Sequence, residues 1–483
     1  MTQDRSRDSP HSLDRRRAFK RSAALGLSWF IPGCRPTPPE ASSQAADRHF
    51  AQGAFRIDLV HLRAGAVERF EPRRLRIENQ WAGPKKPLTD APDWGDYRLS
   101  IYEPGTEALL FRQGFDSTVD AQALSAATRL SLRIPLPQRA IHAVIEKRRA
   151  GNAFQQILNA TFDPAAFDVD RSAPAIATQV EPLLSHGAPD TKVDVAILGD
   201  GYGQAEYSKF VADAQRAASY LFSVEPFRKR MRDFNVHAVF AASPESGVTD
   251  PYLGQKRTTL LGCAYGQGEA ERTLAAADTY AVHEIASAVP YDFVLILANT
   301  RRYGGSAHFG GPAVAAIDSA AARYLVLHEF AHVIGGLADE YYIPVAHGPT
   351  FTGNVEPWHP NVTLSADKAK WRLSTDATVP TAWNKAEYDK YFSGYVQRYL
   401  RLRERHVAEA VVEQFMHDES RRQAALLAKN GRDRIVGLFE GAHGYAQGVF
   451  RAEANCIMFS LQTDYFCAAC VSAIERMIDA QCA

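Results

Sequence analysis

The stretch YLVLHEFAHVIGGLADEYY, Tyr324–Tyr342, carries two histidines four residues apart, with a glutamate directly after the first. On an α-helix positions i and i+4 share a face, so His328 and His332 can turn their rings toward one ion while Glu329 projects beside it. That is the H-E-x-x-H pattern, in which two imidazoles bind zinc and the glutamate polarises a bound water. The preceding Tyr324-Leu325-Val326-Leu327 run is apolar and buries the helix, so a polar turn there needs a reason. A core histidine pair without a metal is the plainer alternative.

The residues that follow bear on a third ligand. Gly335 stands where zinc enzymes of the metzincin type use a glycine to turn the chain off the helix and return a ligand to the metal. Those enzymes place a histidine three residues later; here that residue is Ala338, and the next is Asp339. Gly336 can absorb the extra residue, because glycine tolerates backbone angles closed to other residues. This favours Asp339 as third ligand, with Glu340 its nearest rival and Glu356 or Glu440 as candidates from more distant segments. An acid pair outside the coordination shell is the structural alternative.

HEFAHVIGGLADEYY resembles the signature of the IgA-peptidase family of bacterial zinc metallopeptidases, which reads much like HEFGHSFGGLADEY. Further stretches agree in the family's order: KVDVAILGDGYGQAEYSKF, FNVHAVFAASPESGV, NTRRYGGSAHFGG and GLFEGAHGYAQGVFRAEANCIM. The chain departs in having Ala331 where glycine is usual. The resemblance implies a metzincin-like catalytic domain with zinc held by His328, His332 and Asp339, Glu329 as general base, and a protein or peptide substrate. It does not carry over an antibody substrate.

The elements that must position these residues follow from pattern and length. A chain of 483 residues is too long for one core, and 46% hydrophobic with 23% charged residues is ordinary globular composition. Lys plus Arg and Asp plus Glu number 55 each, so no basic field exists to attract nucleic acid. From about Phe55 to Asp163, alternating runs such as RLSLRIPLP predict strands, read as a β-sandwich accessory domain over 51–170. From Lys192, strands such as VDVAILGDGY and YDFVLILAN alternate with helices, predicting an α/β peptidase domain over 185–483 and an α+β multidomain chain. Gly199-Asp200-Gly201 lacks the spacing of a phosphate loop and reads as a tight turn. A charged helical hairpin at about 386–430 reads as an insertion, either a solvated surface element or a cover for the cleft.

Several residues carry weaker signals. NTRRYGGSAHFGG is expected to supply an edge strand that pairs with extended substrate, with His308 as an extra ligand candidate. Met458 is a candidate floor beneath the zinc, and Tyr445 a candidate oxyanion stabiliser. The N-terminus, DRRRAFKRSAALGLSWFIPGC, orders a basic region, a short apolar run and a cysteine, which predicts an export signal over 1–34. Arg16-Arg17 resembles a twin-arginine pattern and Cys34 a lipidation site, which implies an envelope-anchored protein, with a Pro/Ser/Ala-rich tether over 35–50. Cys456, Cys467, Cys470 and Cys482 crowd the C-terminus; disulfides are expected from an oxidising compartment, with a structural zinc site as the alternative. The functional reading is a zinc endopeptidase. Its rivals are a non-catalytic surface binding protein on a peptidase fold and a zinc hydrolase of a non-peptide amide.

Overall fold

The computed structural model describes residues 48–65, 67–85, 88–89, 92–118, 125–267, 271–342, 350–375, 377–429 and 434–482. These fall in a compact unit spanning Ala41–Ala483. The export signal and Cys34 lie outside the described residues.

Seven strands come first: β1 (Phe50–Ala64), β2 (Val67–Glu78), β3 (Tyr97–Tyr102), β4 (Leu109–Phe115), β5 (Ser125–Pro137), β6 (Ile141–Arg148) and β7 (Phe154–Phe162). They form two antiparallel sheets, ordered β2-β1-β5 and β4-β3-β6-β7. Alternation directs Phe55, Ile57 and Leu59 of β1 into one apolar cluster with Leu99 and Ile101 of β3 and Ile145 of β6.

The next sheet is mixed. It is built from β8 (Gln179–Leu184), β9 (Val193–Asp200), β10 (Phe234–Phe240), β13 (Phe293–Ala298), β14 (Gly305–Ser306) and β15 (Ala313–Ala316), in the order β14-β15-β13-β9-β10-β8. β9, β10, β13 and β15 run parallel, while β8 and β14 are antiparallel at the two ends. Every residue of central β9 is buried, as expected for a parallel strand covered on both faces. Two-residue strands β11 (Ala264–Tyr265) and β12 (Leu274–Ala275) pair nearby. Asp200, at the end of β9, accepts the Leu261 and Cys263 backbone N–H groups at 2.9 and 2.8 Å, so the Gly199-Asp200-Gly201 turn anchors a loop.

Helices α1 (Tyr207–Leu221), α2 (Phe227–Arg230), α3 (Thr279–Ala286) and α4 (Ala322–Gly335) accompany this sheet. In α4, 12 of 14 residues are buried, so the helix has no solvent face and its polar turn is enclosed by protein. Beyond it, α5 (Lys385–Glu404) and α6 (Glu409–Ala428) occupy the stretch expected to be a helical hairpin. The chain returns through β17 (Phe439–Ala442) and β18 (Tyr445–Arg451), with β16 (Val362–Thr363) on the far side of β18, and ends in α7 (Ala468–Gln481).

A buried charge network ties β1 to α3. Arg56 is 0% exposed and reaches Glu78 at 2.7 Å, Asp58 at 3.0 Å and Glu284 of α3 at 3.2 Å. Arg133 and Arg76 complete it through Glu78 at 2.8 Å and Glu284 at 3.2 Å. Removing one member of such a cluster strands the others without compensation. Arg56→Ala should therefore lower unfolding stability by about 3–5 kcal/mol in a denaturant titration; an unchanged midpoint would show that the network adds nothing to the fold.

Candidate metal centre

His328 and His332 sit one turn apart on α4 with their Nε2 atoms 3.3 Å from each other. The chain leaves the helix at Gly336, whose φ of +57° is left-handed and whose N–H closes on the His332 carbonyl at 3.1 Å. A Cβ there would lie 3.0 Å from the Trp358 ring, so conformation and space both call for glycine. The turning residue is thus Gly336 rather than Gly335, which is the last residue of the helix. Three residues on, Asp339 Oδ1 lies 2.9 Å from His328 Nε2 and 3.3 Å from His332 Nε2.

The hydrogen bonds behind the rings fix their chemistry. His328 Nδ1 donates to the Ile457 carbonyl at 3.2 Å and His332 Nδ1 to the Leu337 carbonyl at 2.6 Å. A carbonyl only accepts, so both Nδ1 atoms carry hydrogen, and each Nε2 faces Asp339 with a lone pair whenever its ring is neutral. These three groups converge on one point and call for a cation among them, which a proton on His332 supplies in the metal-free chain and a metal ion can replace. This donor set, two imidazoles and one carboxylate, suits a divalent ion with a position left open. A third of the Asp339 side chain reaches solvent, which supplies the open side.

The charges respond accordingly. Burial works against a proton on His332, but Asp339 with Glu329 and the Leu337 carbonyl outweighs it and raises the imidazole to about 9. Burial would raise Asp339 as well, yet His332 and His328 hold it well below the usual carboxylate range. Glu329 is 8% exposed, and burial, helped by Asp339 and opposed by both histidines, raises its carboxyl. Its carboxylate lies against Gly305 of β14, where a Cβ would come within 2.8 Å of Glu329 Oε1. The glycine makes room for the acid.

The rival ligand candidates are placed elsewhere. Glu356 pairs with Lys370 at 2.6 Å and Glu440 accepts the Gly448 N–H at 3.1 Å. Glu340 points away from Asp339 into a group of cysteines. His308 lies outside the donor group, with its imidazole lowered to about 4 by burial and then by His332. Tyr445 packs on Phe351 and His443. Met458 meets the loop through its backbone, its carbonyl accepting the Glu340 N–H at 2.8 Å. The outer side of β14, expected to be free for substrate, already meets Thr273 in a bridge and Leu274 through the Ser306 hydroxyl. The expected disulfides are absent among the described cysteines, and Cys456 and Cys470 hold their sulfurs 3.8 Å apart.

Several contributors carry no motif. Asn361 clasps the backbone of Ala338 from both sides, accepting its N–H at 2.8 Å and donating to its carbonyl at 2.9 Å, which sets the position of Asp339. Tyr324 and Tyr341 stack on the His328 ring at 4.9 and 6.1 Å. His359 and His443 lie 4.9 Å apart, close enough to feel the charges of His332 and Asp339, and His359 Nδ1 is buried without a partner. Arg272 donates to the Tyr341 hydroxyl at 3.0 Å. Glu409 of α6 accepts from the Tyr303 N–H at 3.4 Å, two residues before Gly305. A cavity of about 430 Å³, lined by Trp81, Phe111, Arg133, Tyr291, Phe309 and Met477, includes none of His328, Glu329, His332 or Asp339.

Comparison with curated proteins gives no match. Among solved structures, one similarity is to the "Crystal Structure of a Thermostable Esterase", at 9% identity over 52% of this chain and 68% of that one; its TM-score of 0.15 carries no argument. Two sequence families do match. IgA Peptidase M64 covers residues 182–478, including every residue of the histidine and carboxylate centre, and Peptidase M64 N-terminus covers residues 46–159. The chain belongs to the IgA Peptidase M64 family, a family of peptidases.

Proposed function

We propose that the chain is a zinc-dependent endopeptidase in which His328, His332 and Asp339 hold the ion and Glu329 is the general base. The observation that carries this reading is the convergence of two Nε2 atoms and Asp339 Oδ1, on a chain of a peptidase family. When bound, zinc supplies Lewis acidity that lowers the pKa of water and polarises a carbonyl.

The chain's own residues do the rest. The Nδ1 bonds to Ile457 and Leu337 keep both rings oriented. Glu329 follows the first histidine, outside the donor group, and its raised carboxyl is suited to taking a proton from the attacking water and passing it to the leaving amine. The β-sandwich at 51–170 belongs to the same proposal, supported by two sheets that share one apolar cluster. So does the metzincin-like peptidase domain at 185–483, with its insertion at about 386–430, supported by the antiparallel strand β14 and the buried helix α4. Export with lipidation at Cys34 is proposed from residues 15–34; metabolic labelling with a fatty-acid analogue that leaves the protein unmarked would refute lipidation.

Glu329→Gln keeps the shape of the side chain and removes the base. The variant should retain zinc and fold normally while peptide cleavage falls by about 10² to 10⁴. Cleavage at the parental rate would show that Glu329 is not the base, and a parent that binds zinc but cleaves no peptide in a proteome-derived library would favour a binding protein. Asp339→Ala should lose the zinc held by His328 and His332.

Metal uptake should depend on pH. In the metal-free chain the raised His332 pKa means that its ion pair with Asp339 stabilises fully below about 6.5, and that this contribution is lost as pH rises through about 9. An entering ion must displace that proton, so uptake at this centre, measured as the difference between the parent and His328→Ala/His332→Ala, should release about one proton at pH 7 and its apparent affinity should climb with pH up to about 9. Calorimetry in buffers of different ionisation enthalpy measures the release; uptake without it, and with affinity flat across that range, contradicts the assignment.

A further inference from the structure

We infer that Glu340, Cys456, Cys467 and Cys470 form a second, closed zinc site that fastens the floor of the first. All four side chains are buried, and their ligand atoms lie within 4.8 Å of one another. Bonds of about 2.3 Å to sulfur and about 2.0 Å to oxygen in a tetrahedron give S···S edges of about 3.8 Å and S···O edges of about 3.5 Å. The observed Cys456–Cys470 separation is 3.8 Å, and Glu340 Oε1 stands 3.3 and 3.2 Å from the sulfurs of Cys467 and Cys470.

The surroundings favour a thiolate at Cys456, whereas burial keeps Cys467 and Cys470 as thiols in the metal-free chain. Cys456 Sγ accepts two backbone N–H groups, from Met458 at 3.4 Å and Cys467 at 3.2 Å. Cys467 is the residue before α7 and Cys470 lies in its first turn, where the helix end stabilises negative charge. Arg451, buried and 0% exposed, is close enough to feel both Glu340 and Cys456. Glu340 Oε2 is buried with no hydrogen-bond partner, a carboxylate oxygen left without compensation by protein groups alone. A disulfide would use two of three sulfurs and still leave a thiol and this carboxylate enclosed. With four protein ligands and no exposed face, the site has no position for substrate and is structural.

Its consequence is mechanical. Glu340 follows Asp339, its N–H donates to Met458, and the neighbouring Ile457 carbonyl holds His328. One ion at this site would clamp the turn after α4 to the 456–470 segment, and with it two ligands of the first centre.

The inference does not rest on peptidase activity and is tested by metal content and X-ray absorption at the zinc edge. The full chain should carry about two zinc ions, and His328→Ala/His332→Ala about one, with sulfur scatterers at about 2.3 Å. Should the double variant fail to fold, the parent alone decides, because its averaged zinc spectrum must contain that sulfur shell. Zinc seen only with nitrogen and oxygen neighbours, no zinc in a folded double variant, or a parent mass two hydrogens short from a disulfide among these cysteines would each overturn it.

Discussion

Two imidazole nitrogens and a carboxylate oxygen held about 3 Å apart need a cation among them, a proton on His332 or a metal ion, and the peptidase half of the molecule is arranged around keeping them there. A flexible site would relax by swinging one group into water. Here α4 is buried along most of its length, so His328 has no solvent to turn toward and His332 little. Backbone carbonyls hold the rings from behind, Gly336 turns the chain at once, and Asn361 fixes the residue next to Asp339. The desolvation and strain of such a cluster are offset by burial elsewhere, as at preorganised sites generally.

The supports come from distant parts of the chain. Gly305, on the last strand of the mixed sheet, leaves space for Glu329. Ile457 and Met458, over a hundred residues later, reach both His328 and the Asp339–Glu340 turn. The buried arginine network joins β1 to α3, so the first seven strands are fastened to the peptidase part by charge as well as apolar contact. A substitution at any of these places would act on the centre without touching it.

What could be read from the sequence was local. The four-residue histidine spacing, the glutamate between, and an acid one residue later than the usual third ligand all lie within one helix and its exit, where periodicity and glycine conformation apply directly. The strand pattern of β5 and the enclosed β9 were legible for the same reason. Asn361, His359 and the carbonyl of Ile457 were not, because their role depends on tertiary contact and their types are common in loops. Gly335 and Gly336 could not be ranked without φ. The cysteines read either way from sequence: disulfides were favoured on compartment and on spacings that match no zinc knuckle, whereas the side chains gather three sulfurs about Glu340, a residue that competed on spacing alone for the other site.

Anomalous diffraction from crystals of the full chain, recorded on both sides of the zinc absorption edge, addresses the centre most directly. A zinc-specific peak about 2.0–2.2 Å from His328 Nε2, His332 Nε2 and an Asp339 carboxylate oxygen is the predicted result. Zinc-saturated crystals in which these three groups pair with one another, with no peak among them, would contradict it.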